Sequence, residues 1–146
     1  MNGKTYLERA ARLDMSIQTK LEQVEQLRSL AYKITSVIRA DSGVSGSTPK
    51  SALEDAVIKL CMAEQELDRQ IDRFVDAKRE IAGSLEHMED AEERALLEWR
   101  YLCFKPWEDI ANSMHFSKSY AYQLHRQALE SFEIILRKKL TALESV

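Results

Sequence analysis

A chain of 146 residues with 21 Lys+Arg against 24 Asp+Glu, a net charge of −3, is long enough for one small domain and an extension. Four glycines and two prolines are too few for the many turns of a β-sandwich or an α/β nucleotide fold, whereas the abundance of Ala, Leu, Glu, Lys, Arg and Gln favours long helices. Hydrophobic residues, at 45%, are too numerous and too evenly spaced for a disordered chain, and no apolar run approaches the ~18 residues of a membrane span.

The opening Met1-Asn2-Gly3-Lys4-Thr5-Tyr6 leads straight into charged heptads, without the apolar stretch of a signal peptide. Cys61 and Cys103 lie far apart in helical patterns. They read as small packing residues, and a reducing cytosol suits them better than a disulfide framework or a zinc site.

From about Lys4 to Arg39 the apolar residues are Ala10, Leu13, Ile17, Val24, Leu27, Ala31, Ile34 and Ile38, and with Lys20 the steps alternate three and four. That is a heptad seam. Leu21, Leu30 and Val37 flank it and widen the stripe beyond what a two-helix seam needs, so more than one partner surface is implied. The segment Asp41–Pro49 holds two glycines, three serines and a proline and reads as a loop, with Ser47 or Thr48 placed to cap the next helix. The second helix repeats the pattern at Leu53, Val57, Leu60, Glu64, Leu67, Ile71, Phe74, Lys78, Ile81, Leu85 and Met88. Two such helices, each roughly 50 Å long at ~1.5 Å per residue, fold back as an antiparallel hairpin or join a coiled-coil dimer. Residues 1–89 are therefore read as the helical hairpin. Its charged interruptions, Lys20, Glu64 and Lys78, are read as long side chains reaching out at the seam edge rather than as buried register marks.

Beyond Asp90 the period changes. Ala91 to Phe104 reads as a helix that Lys105-Pro106 ends. Trp107 to Met114 reads as a short helix, His115-Phe116-Ser117 as a tight turn, and Ser117 as the N-cap of a long helix running to about Leu140. The apolar face of that helix is Ala121, Leu124, Ala128, Phe132, Ile135, Leu136 and Leu140. Trp99, Tyr101, Phe104 and Trp107 gather around the proline as a small core. The late cluster Arg137-Lys138-Lys139 suits the negative end of the helix dipole.

Helix, three-residue turn, helix is the pattern of a helix-turn-helix over residues 90–146. Ile110, Ala111, Phe116, Ala121 and Leu124 would form its core. Lys118, Ser119, Tyr122, Gln123 and Arg126 would face away from it, carrying cationic, hydroxyl and amide groups of the kind that grip phosphates or read base edges. Charge follows the same division: residues 1–99 hold 14 basic and 19 acidic groups, a net −5, and residues 100–146 hold 7 and 5, a net +2.

The stretch Trp107-Glu108-Asp109-Ile110-Ala111-Asn112-Ser113-Met114-His115-Phe116-Ser117 resembles the EEIA…LGIS stretch of domain 4 of bacterial sigma factors, and Ala121, Gln123, Leu124, Ala128 and Leu129 continue in register with its recognition helix. The chain departs at His115, where that pattern has glycine, and at Gln127, where it has arginine. Through its TYLERAARLD opening, its ITSVIRADSGVSGS junction and its LLEWRYLCFKPWEDIA segment, the whole chain resembles small phage and prophage proteins of Gram-positive bacteria, grouped with RinA/ArpU-type regulators of phage late genes. The resemblance implies an all-α protein: a long antiparallel helical hairpin followed by a three-helix, sigma-domain-4-like helix-turn-helix. It implies sequence-specific binding of double-stranded DNA in the bacterial cytoplasm to regulate transcription. Ser117, Lys118, Ser119, Tyr122, Gln123 and Arg126 would be the DNA-facing residues. One such module covers few base pairs, so the chain would dimerise through the hairpin or bind beside another DNA-bound protein such as RNA polymerase.

Two other readings remain open: a DNA-packaging component like a terminase small subunit, and a protein-interaction module without DNA binding. Catalysis is not expected. His87, His115 and His125 lack metal-ligand spacing, there is no glycine-rich phosphate loop, and neighbouring carboxylates such as Glu92 and Glu93 point apart on a helix. No cofactor, metal or membrane partner is expected.

Overall fold

Five helices and no strand make up the described residues of the computed structural model, which are 2–40 and 47–145. They are α1 (Gly3–Ala40), α2 (Ser47–Leu85), α3 (Ala91–Tyr101), α4 (Trp107–Met114) and α5 (Lys118–Glu144). The protein is all-α. Of the predicted 41–49 loop, residues 41–46 and the side chains of 47–49 lie outside the described residues, and the expected Ser47 or Thr48 cap with them. Packing divides the chain into two compact units. One compact unit is Leu13–Arg73, and the other combines Met1–Arg12 with Phe74–Val146.

In the Leu13–Arg73 unit, α1 ends at Ala40 and α2 begins at Ser47. The intervening six residues reach only about 20 Å even when extended. Further back, Arg28 Nη2 of α1 lies 3.4 Å from Glu64 Oε1 of α2. The two arms therefore run antiparallel. On α1, Ile17 and Val24 are buried, and Leu13, Lys20, Leu27, Ala31, Ile34 and Ile38 are part-buried, as the heptads predict. On α2 the seam differs from the prediction. Leu53, Leu60 and Leu67 are buried or part-buried, and Ala56, Ala63 and Gln70 alternate with them; of the predicted Val57, Glu64 and Ile71, Glu64 is part-buried but Val57 and Ile71 are exposed. Ala56 is 3% exposed whereas Val57 is 43% exposed. Small side chains at Ala56 and Ala63 let two helices approach closely, so packing favours Ala56 over the bulkier Val57 beside it.

In the other unit, Asn2 Oδ1 accepts the Thr5 amide at 2.8 Å and caps α1. Glu133 of α5 accepts the Gly3 amide, placing a carboxylate at the positive end of α1. The start of α1 then packs antiparallel to the end of α2. Tyr6 Oη lies 3.1 Å from Ser84 Oγ, and Arg9 Nη2 lies 2.9 Å from Glu80 Oε2. Leu7, Ala10, Ile81, Leu85, Met88, Leu96, Leu97, Ile110, Leu124, Ala128, Phe132 and Leu136 close one continuous core. Helices α3, α4 and α5 thus share one core with the start of α1 and the end of α2.

Asp90 caps α3 by accepting the Glu93 amide at 3.0 Å. With Glu92 and Glu93 in the first turn, the helix starts with favourable charge. It ends at Tyr101, three residues before the predicted Phe104. Leu102 and Cys103 both donate to the Glu98 carbonyl, and Phe104 turns left-handed at φ 56. Beyond its predicted end near Leu140, α5 runs to Glu144, with Leu140 exposed rather than packed. The two cysteines also depart from expectation: both are exposed, not packing residues.

Candidate nucleic-acid interface

The turn between α4 and α5 is built from backbone hydrogen bonds. Phe116 N donates to Ala111 O at 2.9 Å, and His115 N donates to Asn112 O at 3.2 Å. This paired closure is a Schellman motif, which requires a left-handed residue at its centre. His115 supplies it, with φ 59 and ψ 38. Histidine therefore occupies the glycine position at the cost of some backbone strain. Ser117 comes next in extended conformation, and its Oγ accepts the Tyr120 amide at 3.1 Å to cap α5.

Helices α3, α4 and α5 pack against one another in all three pairings. Ile110, Ala111, Ala121 and Leu124 are buried as expected, and Phe116 is half-buried. That packing fixes which side of α5 faces solvent. Ser117, Lys118, Ser119, Tyr122, Gln123 and Arg126 are all exposed. On a helix, positions 118, 119, 122, 123 and 126 share one face over two turns. The structure thus brings the six residues together at the start of α5. Lys118 and Arg126 form no ion pair among the described residues. The Ser117 hydroxyl is engaged in its cap, so Lys118 and Ser119 present the free amide donors of the first turn.

A layer beneath this face escapes a reading of spacing alone. The Trp107 ring of α4 meets Tyr122 at 5.2 Å and His125 at 4.6 Å between centroids. The Arg100 guanidinium of α3 sits 4.9 Å from the centre of the same ring. Tyr122 and Tyr120 each rest against an aromatic neighbour, the latter against Phe116 at 4.6 Å, yet remain accessible from outside. Trp99, Phe104 and Trp107 are part-buried, as the small-core reading expects, and Phe104 packs on Phe74 at 6.3 Å.

Burial shifts the titration of both His125 and its partner Tyr101. His125 Nε2 lies 2.8 Å from Tyr101 Oη. Burial, reinforced by the cations Lys4 and Arg100, pushes the imidazole pKa down to about 4. Burial, reinforced by Glu8 and opposed by Arg100, pushes the Tyr101 phenol up to about 12. Both are neutral near pH 7, so the pair joins α3 to α5 without adding charge to the exposed face of α5.

The basic cluster at the end of α5 is only partly the solvated terminus expected. Arg137 and Lys138 are exposed, but Lys139 Nζ donates to Ser84 Oγ at 2.9 Å, beside Tyr6. Ser84 is fully buried. An open cleft of about 680 Å³ lies beside it, lined by residues that include Glu93, Ile134, Ile135 and Lys138. It lies on α5 beyond Arg126 and includes none of the six exposed residues. Among the described residues, no group of three His, Cys, Asp or Glu side chains is placed to hold a metal ion. None of the described helices is long and apolar enough to cross a membrane.

Residues 33–133, from the later part of α1 to the middle of α5, match the family described as Protein of unknown function (DUF1492). The chain belongs to the DUF1492 family. The matched segment contains the α4–α5 turn and all six exposed positions. No curated protein and no solved structure matches the chain.

Proposed function

We propose that this DUF1492 protein binds double-stranded DNA sequence-specifically and regulates phage or prophage transcription in the bacterial cytoplasm, with α5 as its recognition helix. One observation carries the reading: an exposed Lys–Ser–Tyr–Gln–Arg face at the start of a capped helix, directly after a three-residue turn. The sigma-domain-4-like register and the RinA/ArpU-type resemblance of the chain support the same reading. Gln123 has the amide to pair bidentately with adenine, and Arg126 the guanidinium to pair with guanine or grip a phosphate. The free amides of Lys118 and Ser119 suit a phosphate at the helix N-terminus. The net −5 of residues 1–99 weakens non-specific attraction to DNA and leaves affinity to this face. A single module covers few base pairs, so binding as a homodimer through the hairpin, or beside RNA polymerase, completes the reading.

The test is selection of bound fragments from host and phage DNA at two salt concentrations, with wild type and Arg126→Ala. Recovery of one short motif that the variant loses supports a sequence reader. Fragments no different from background overturn it.

A further inference from the structure

On α1, Leu21, Arg28 and Thr35 are spaced by one heptad, and on α2 so are Val57, Glu64 and Ile71. The Arg28–Glu64 contact sets their register. A heptad forward on one antiparallel arm matches a heptad backward on the other, so Leu21 stands beside Ile71 and Thr35 beside Val57. One face of the Leu13–Arg73 hairpin therefore reads, in layers, Leu–Ile, Arg–Glu, Thr–Val. Its apolar side chains face water: Leu21 is 40%, Ile71 38% and Val57 43% exposed. Tyr32, one turn beyond Arg28, is 77% exposed. A two-stranded coil needs apolar residues only along its seam, and the seam is already filled by Ile17, Val24, Ala56 and Leu67. An apolar stripe wider than the seam is the mark of a helix covered on a second side.

We propose that a second copy of the chain covers this face, forming a four-helix bundle about a two-fold axis parallel to the helices. In that arrangement α1 of each copy lies antiparallel on α2 of the other. Arg28 faces the second copy's Glu64, and Leu21 faces the second copy's Ile71. The four charges of the middle layer alternate in sign around the bundle, between a Leu–Ile layer on one side and a Thr–Val layer on the other. A two-fold axis across the helices would instead set Arg28 on Arg28 and Glu64 on Glu64, which like-charge repulsion opposes. Symmetry makes the face complementary to itself, which an unrelated partner would have to match residue by residue. The charged layer also penalises a shift of register, since any slip leaves it against apolar side chains. In this arrangement Arg73 of both copies lies at the same end of the bundle.

The proposal rests on the homodimer part of the functional reading and names its surface. Association is measured without DNA, so its failure and failure of DNA recognition are told apart. The experiment is sedimentation equilibrium of the full chain, with helicity followed by circular dichroism. Wild type is expected to be a dimer, and Ile71→Glu a monomer of unchanged helicity. Arg28→Glu and Glu64→Arg, each alone, should weaken the dimer at least about tenfold, because each sets like charges together. Mixing those two variants should restore dimers, as pairs of unlike chains; a stability defect within each chain would not be rescued that way. A monomeric wild type overturns the proposal. So does a dimer that Ile71→Glu and both charge reversals leave intact, or a mixture that does not associate.

Discussion

Tyr101 Oη and His125 Nε2 stand 2.8 Å apart and join α3 to α5. The bond pairs a neutral phenol with an imidazole whose pKa burial, Lys4 and Arg100 depress to about 4. An unfolded histidine titrates near 6.5, so the unfolded chain takes up the proton first as pH falls. The stability this histidine contributes is thus present above about pH 6.5 and is lost between there and about pH 4. The loss should reach about 1–2 kcal/mol, allowing for solvent screening of a ring that is not fully buried. Urea unfolding at pH 7 and pH 5 should show it, and His125→Gln should flatten the difference.

His115 holds a left-handed conformation at the centre of the turn that aims α5. Glycine adopts that conformation without the clash of a Cβ. His115→Gly should therefore raise stability by about 1 kcal/mol, while a β-branched residue there should lower it by more. The midpoint of urea unfolding reads both. If DNA recognition depends on this turn, the glycine variant should keep its affinity and the valine variant should lose it.

Ser117 contributes a cap hydrogen bond to α5, and this role differs from that of its exposed neighbours. Ser117→Ala should destabilise the protein by about 1 kcal/mol. Gln123→Ala, at an exposed position, should shift stability by less than about 0.5 kcal/mol. Comparing the two in unfolding and in DNA affinity separates the fold's use of this surface from its proposed use in DNA binding.

The alanine seam of α2 makes a sharp expectation. Ala56→Leu inserts bulk where two helices meet and should cost about 1–3 kcal/mol. The adjacent Val57→Leu, in a partly exposed position, should cost less than about 1 kcal/mol. Equal effects would contradict the observed heptad assignment.

Lys139 reaches the buried Ser84 hydroxyl at 2.9 Å, and Ser84 in turn faces Tyr6. Lys139→Ala removes a charge-assisted hydrogen bond and should cost about 1.5–3 kcal/mol. Lys138→Ala, one residue earlier and exposed, should cost much less. Thermal unfolding of both variants checks the contrast.

Much of this architecture is legible in local chemistry. The α1 seam is readable from heptad spacing because a helix buries the same face every seven residues. Pro106, Ser117 and the apolar period of α5 mark α4 and the start of α5, since capping and proline effects act within a turn. The exposed face from Lys118 to Arg126 is set by the same period once Ala121 and Leu124 are assigned to the core.

Other features depend on what lies across a helix. Ala56 and Val57 are both apolar, and only the distance to the opposite helix decides which one turns inward. Cys61 and Cys103 look like packing residues until the surrounding helices leave them exposed. Lys139 looks like a solvated helix end until the distant Ser84 and Tyr6 come beside it. Sequence by itself determined the all-α composition, the helical periods and the local caps, because those depend on residues within a few positions. The choice of alanine seam, the shared core of α1 and α5, and the neutral Tyr101–His125 pair were decided only by tertiary structure. They arise from close approach, burial and desolvation among residues far apart in the chain.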